Sequence, residues 1–183
     1  MSRLDYHHIP KVLDLVAACG AKSVLEAHDG EALYAPLMRA FLPDLKQVDE
    51  AAAEEAHVLR KNYDLVICSV PSRAPSHASL DHVRALLERH RSVLLVAPKS
   101  DWEKADFAEL GPILFVNDPT GIIAYLAETA NIKTTRRNLL GRRVRRQSSL
   151  TPTVEAFYKT VRRVAQHRMV QGVAERSKSK KRN

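Results

Sequence analysis

The sequence predicts an α/β protein: one domain built on a five-stranded parallel sheet, helices on both faces of it, and a basic helical arm after it. Three observations carry this reading. Five short apolar segments recur within residues 1–129, each followed by a stretch with helical spacing. The third, fourth and fifth are continuous and rich in β-branched residues, as strands buried on both faces should be. Alternation of strand and helix implies parallel strands joined by right-handed crossovers. At 183 residues, the chain is long enough for one such domain and an appendage.

The elements follow in order. In "MSRLDYHHIPKVLDLVAACG", Val12, Leu13, Leu15 and Val16 are interleaved with Lys11 and Asp14, which predicts an amphipathic helix. The stretch lacks the basic-then-apolar order of a secretory leader. "SVLEA" (Ser23–Ala27) is the first strand and "LYAPLMRAFL" its helix. "LKQVD" (Leu45–Asp49) is the second, followed by helix "EAAAEEAHVLRK". "YDLVICSV" (Tyr63–Val70) leads into "LDHVRALLERH", where Val83, Leu86 and Leu87 share a face. "SVLLVAP" (Ser92–Pro98) precedes a helix near "DWEKADFAEL". "PILFVND" (Pro112–Asp118) precedes "PTGIIAYLAETA", read as a helix on the spacing of Ile122, Ile123 and Leu126. Residues 130–152 form a basic connector, partly helical and interrupted at Gly141. After Pro152, Thr153 caps a final amphipathic helix over 153–174 with Val154, Phe157, Val161 and Val164 on one face. Residues 175–183 read as a disordered basic tail.

Charge divides the chain. Residues 1–129 hold 13 Lys and Arg against 19 Asp and Glu, a net of −6, and residues 130–183 carry +14. Arg136, Arg137, Arg142, Arg143, Arg145 and Arg146 fall within eleven residues. Such an arm suits a polyanionic partner, nucleic acid or an acidic protein surface, because cationic side chains bind phosphates by charge and release counterions. A solvated basic face, or an arm docking on the acidic body, explains the same residues more plainly. No aromatic residue interleaves with the cluster, which argues against a base-stacking platform. Cys19 and Cys68 lie in apolar contexts and read as buried thiols, which fits a reducing cytoplasm. No apolar run approaches the length of a membrane span, so no membrane partner is expected.

Sheets of this kind bind ligands at the carboxyl ends of their strands. From Lys22 to Arg137, the order and spacing of the units resemble a response-regulator receiver domain, chiefly in "VDEAAAEEAHVLRKNYDLVICSV" and "NDPTGIIAYLAETA". The resemblance implies a flavodoxin- or Rossmann-like three-layer fold. It also assigns the family's site positions. The magnesium-binding acids fall on His28 and Asp29, the phosphoacceptor on Ser69, the fourth-strand hydroxyl on Ala97 and the lysine near Asp118. A serine without a base is a poor nucleophile, and one carboxylate beside an imidazole is a poor magnesium site. The resemblance thus implies a pseudo-receiver without aspartyl-phosphate chemistry and without a cofactor.

A second stretch, "AKSVLEAHDGEALYAPLMRAFLPDLKQVD" after a helix, resembles the start of a class I S-adenosylmethionine-dependent methyltransferase. It implies cofactor contacts from Glu26, Gly30 and Asp49, with one of three expected glycines kept and one βα unit missing before "YDLVIC". "SLTPTVEAFYKTVRRVAQHRMVQGVAE" is similar to the first two helices of the helix-turn-helix output domain of many receiver proteins. Only eight residues follow, too few for a recognition helix.

Other groupings are weak. His77 and His82 are five apart, the wrong spacing for a helical metal pair. Ser69, Ser72, Arg73 and Ser76 would suit an anion, yet a proline-rich loop needs no such role. There is no phosphate-binding loop of the GxxxxGK[ST] type. "RRQSS" matches a basophilic kinase site, a short motif common by chance. The sequence therefore predicts a non-enzymatic receiver-like regulatory module with a nucleic-acid-binding arm. The alternatives are a methyltransferase, or a structural subunit of a homodimer or larger assembly.

Overall fold

The structure is a computed structural model, and it describes residues 8–28, 31–56, 59–69, 77–98, 103–118 and 121–146. Helix α1 (Ile9–Cys19) opens with Pro10 in its first turn, where a missing N–H costs nothing, and ends at Gly20 with φ of 73°. It buries Ile9, Val12, Leu13, Leu15, Val16 and Ala18. Strand β1 (Ser23–His28) leads to α2 (Tyr34–Phe41), and β2 (Gln47–Ala52) to the four-residue helix α3 (Ala53–Ala56). Strand β3 (Leu65–Ser69), α4 (His77–Arg89) and β4 (Ser92–Pro98) follow. A 3-10 segment, Lys104–Leu110, precedes β5 (Ile113–Asp118), β6 (Gly121–Ala127) and α5 (Thr129–Arg146).

The six strands form one sheet in the order β2-β1-β3-β4-β6-β5. Neighbours among β2, β1, β3 and β4 are parallel, while β6 runs antiparallel to both β4 and β5. This corrects the five-stranded parallel sheet. "GIIAYLA" is a central strand, and Ile123, Ala124, Tyr125, Leu126 and Ala127 are all buried. A seven-residue apolar run buried on both sides satisfies helical and strand spacing alike. Its paired isoleucines and its tyrosine favour the strand. Strands β5 and β6 are consecutive in the chain and pair antiparallel, with Asp118 opposite Gly121.

Three further elements differ from expectation. Strand β2 runs three residues past Asp49, so the long helix predicted over "EAAAEEAHVLRK" shrinks to α3. The helix near "DWEKADFAEL" is the 3-10 segment, opened by a reciprocal capping box between Glu103 and Asp106. The basic connector is helical through Gly141, without the expected interruption. The predicted helix over 153–174 and the tail over 175–183 lie outside the described residues.

Side chains alternate across the sheet. On one face Leu25, Ala27, Val66, Cys68, Val93, Leu95, Ala124 and Leu126 pack with Ala56 of α3, Val83 and Leu86 of α4, and Phe107 and Leu110 of the 3-10 segment. The alternate residues of β1, among them Glu26, point the other way, toward the start of α2. Asp64 ties the strand starts together: its Oδ2 accepts from the N–H groups of Lys22 (2.8 Å) and Ser23 (3.0 Å) and from the Ser23 hydroxyl. Among the described residues, no helix is long and apolar enough to cross a membrane.

Candidate functional site

The chain direction reverses its lateral course between β1 and β3: β2 lies to one side of β1, and β3, β4 to the other. Such a switch point opens a crevice at the carboxyl ends of the strands. His28 ends β1, Ser69 ends β3 and Ala97 is the penultimate residue of β4. These strands are adjacent and parallel, with Cys68 opposite Ala27 and Ser69 opposite Val96, so the three predicted positions share one end of the sheet. His28 is half-buried, and its Nδ1 has no hydrogen-bond partner among the described residues. Asp118 also ends its strand, but β6 lies between β5 and β4. With roughly 4.8 Å between neighbouring strands, the inserted strand puts Asp118 about 10 Å from the β4 tip. Asp29 and Gly30 lie outside the described residues.

Glu26 sits inside β1, fully buried. Its Oε1 accepts from the backbone N–H of Leu33 at 2.6 Å and of Tyr34 at 3.0 Å, and its Oε2 from that of Ala35 at 2.5 Å. Helix α2 has no capping side chain of its own at Leu33, and its first N–H groups have no intrahelical acceptor. Glu26 supplies those acceptors from the sheet, and its negative charge meets the positive end of the helix dipole.

Asp49 occupies the third position of the six-residue strand β2, away from its carboxyl end. Its Oδ2 accepts the Tyr63 hydroxyl at 2.7 Å, the Gln47 amide and the Lys61 ammonium at 3.4 Å. The Tyr63 bond, aided by those of Gln47 and Lys61, outweighs burial and holds the Asp49 carboxyl below its usual value. Burial, then the Asp49 carboxylate, pushes the Tyr63 phenol up to about 12. Glu26 and Asp49 are on neighbouring strands, yet each is engaged in its own structural network.

The basic arm begins as α5. Its 18 residues, "TANIKTTRRNLLGRRVRR", carry seven cations and no carboxylate. Thr135 is buried and Ile132 and Leu139 half-buried, the spacing of one helical face, while Asn138 Nδ2 donates to the Ala18 carbonyl at 2.9 Å. Lys133, Arg136, Arg137 and Arg142 are exposed, and no salt bridge among the described residues engages them. Lys133 belongs with the predicted arginines. It was missed because it precedes the dense cluster, and the single turn separating it from Arg136 and Arg137 was the available signal. Arg143, Arg145 and Arg146 continue the helix.

No family model matches the sequence, and no curated protein matches it. Among solved structures, the crystal structure of a Thermoplasma acidophilum protein is similar over 67% of this chain and 84% of that one, at 13% identity and a TM-score of 0.35.

Proposed function

We propose that the chain is a non-enzymatic interaction module in which the α/β body presents α5, and the arm it begins, to nucleic acid. One observation carries the reading: an 18-residue helix with seven cations and no carboxylate, one face held by Ile132, Thr135, Asn138 and Leu139, with Lys133, Arg136 and Arg137 exposed. Backbone phosphates bind such a surface through charge, with affinity set by counterion release. The receiver-like reading of the body fits a positioning role. Ser69 stands at the third strand's tip in place of a carboxylate, and Ala97 carries no hydroxyl.

The test is binding of labelled DNA and RNA to the full chain over a salt series. Affinity should fall steeply with salt. Arg136→Glu with Arg137→Glu should weaken binding and lower the salt slope by about two. Equal binding by the double variant, or none at low salt, refutes the proposal. The second case leaves a protein partner or a structural role in an assembly.

S-adenosylmethionine binding is a second reading, favoured by α1 ahead of β1 and by the acid at Glu26. The donor set does not fit it. Both Glu26 oxygens are committed to backbone N–H groups, and Asp49 is held by Tyr63, Gln47 and Lys61. No reaction step follows from these residues. Saturable micromolar binding of S-adenosylmethionine to the full chain would restore that reading.

A further inference from the structure

Helix α5, with 18 residues, is about 27 Å long. The body holds one side of it: Thr135 is buried, Ile132 and Leu139 are half-buried, and Asn138 Nδ2 donates to the Ala18 carbonyl at 2.9 Å. Lys133, Arg136, Arg137 and Leu140 stand on the other side, all exposed. Granted α5 as the nucleic-acid contact, the reading on which this inference rests, we propose that the free side lies in the major groove of duplex DNA. Leu140 then faces the base edges, and the cations face the phosphates of the groove walls.

Leu140 carries the argument. It is 57% exposed, the only large apolar side chain so exposed among the described residues. A leucine exposed singly is ordinary on any protein surface, and here its neighbours make it informative. Lys133, Arg136 and Arg137 lie seven, four and three positions before it, the spacings that share one helical face. Around the helix axis Leu140 falls between Arg136 on one flank and Lys133 and Arg137 on the other. A surface for phosphates alone gains nothing from an apolar centre. A helix in a groove has use for one, because the middle of its face reaches deepest, toward the bases, while its flanks meet the two backbones. The major groove offers an apolar partner at that depth, the thymine methyl group.

The same residues choose among nucleic acids. The major groove of B-DNA, roughly 12 Å wide, admits an α-helix, whereas that of an RNA duplex is too deep and narrow for side chains to read. Single strands are held largely by stacking on aromatic rings, and α5 has none. Charge sets the direction of approach. Residues 1–129, with a net of −6, repel phosphates, and α5 carries no carboxylate, so a duplex meets the chain on the free side of this helix.

The test is fluorescence anisotropy with the full chain and three labelled probes of one A·T-rich sequence, over a salt series. The probes are a short DNA duplex, one of its single strands and the corresponding RNA duplex. The DNA duplex should bind at least about fivefold tighter than the other two. Leu140→Ala places the best helix former at an exposed position. It should weaken DNA duplex binding about fivefold and leave the salt slope unchanged, because the lost contact is apolar. Deoxyuridine in place of thymidine removes only the methyl groups. It should weaken wild-type binding about twofold and make no difference to Leu140→Ala. If no probe binds at low salt, the nucleic-acid reading of α5 fails and the groove placement falls with it. If nucleic acid binds, the placement alone is overturned by any of four results: a single strand or RNA duplex bound as tightly as the DNA duplex, wild-type affinity in Leu140→Ala, a reduced salt slope in that variant, or no effect of deoxyuridine. Loss of binding to phosphatidylserine vesicles by Leu140→Ala, with DNA binding intact, would overturn it too and make α5 a membrane-surface helix.

Discussion

Glu26 offers the sharpest test of how the body is held together. The carboxylate is fully buried and accepts three backbone N–H groups, so it acts as the N-terminal cap that α2 lacks. Hydrogen bonds to a charged group contribute roughly 1.5–3 kcal/mol each, and a stranded buried donor costs roughly 1–3 kcal/mol. Glu26→Ala strands three donors and opens a cavity. Simple addition overshoots, since the three bonds share one carboxylate and water can enter, so the expected loss is about 4 kcal/mol. Glu26→Gln keeps one acceptor oxygen, turns an amide donor toward one N–H and removes the charge at the helix start. Its expected cost is about 2 kcal/mol. Both are large beside the roughly 5–15 kcal/mol that holds a typical domain folded. Urea unfolding followed by circular dichroism measures them. A loss below about 0.5 kcal/mol for Glu26→Gln would refute the capping argument. A stable Glu26→Gln protein that had lost saturable S-adenosylmethionine binding would instead make Glu26 a ligand group.

Three other outcomes follow from the structure. At Asp64 burial opposes ionisation, but the N–H groups of Lys22 and Ser23, the Ser23 hydroxyl and the Arg91 charge outweigh it and hold the carboxyl below its usual 3.8. A carboxyl depressed by folding stabilises above its unfolded value and loses that contribution as pH falls through the folded one. Wild type should therefore exceed Asp64→Asn in stability at neutral pH, with the gap closing in acid below 3.8; a gap independent of pH counts against the ionic role. Burial pushes the Cys19 thiol up to about 11, and its Sγ lies 3.1 Å from the Val16 carbonyl oxygen, so alkylation by iodoacetamide should be slow until the chain unfolds; rapid native labelling contradicts this. Gly141 lies within α5 with open space around a built Cβ, so Gly141→Ala should stabilise the helix by about 0.5–1 kcal/mol, seen as slower amide exchange over 136–142, whereas faster exchange would show that the glycine is needed there.

The helix α1, the existence of the first five strands and the charge division were legible because local pattern determines them. Val12, Leu13, Leu15 and Val16 mark a buried helical face whatever they pack on, and "SVLLVAP" was bounded correctly at both ends. Seven cations in 18 residues make a basic element in any fold. The parallel direction of β1 to β4 followed from the strand–helix alternation, whereas the antiparallel β6 was not legible. "GIIAYLA" becomes a strand because β4 and β5 flank it on both edges and complete its backbone hydrogen bonds, a circumstance absent from the segment itself. The "NDPT" that precedes it is a turn signal in the sequence.

The same division separates the site residues. The sequence alone placed an acid at Glu26 and a phenol at Tyr63, and chain order put His28 and Ser69 at strand tips. Only the tertiary structure decided that Glu26 faces the N-terminus of α2 rather than the crevice, and that Asp49 is bound to Tyr63, fourteen residues away. It alone buried His90 with Nδ1 bonded to the Tyr63 N–H and Nε2 without a hydrogen bond among the described residues. The reason is physical. A side chain's type is written in the chain, but its hydrogen-bond partners are set by which strands become neighbours, and that choice belongs to the packed sheet as a whole.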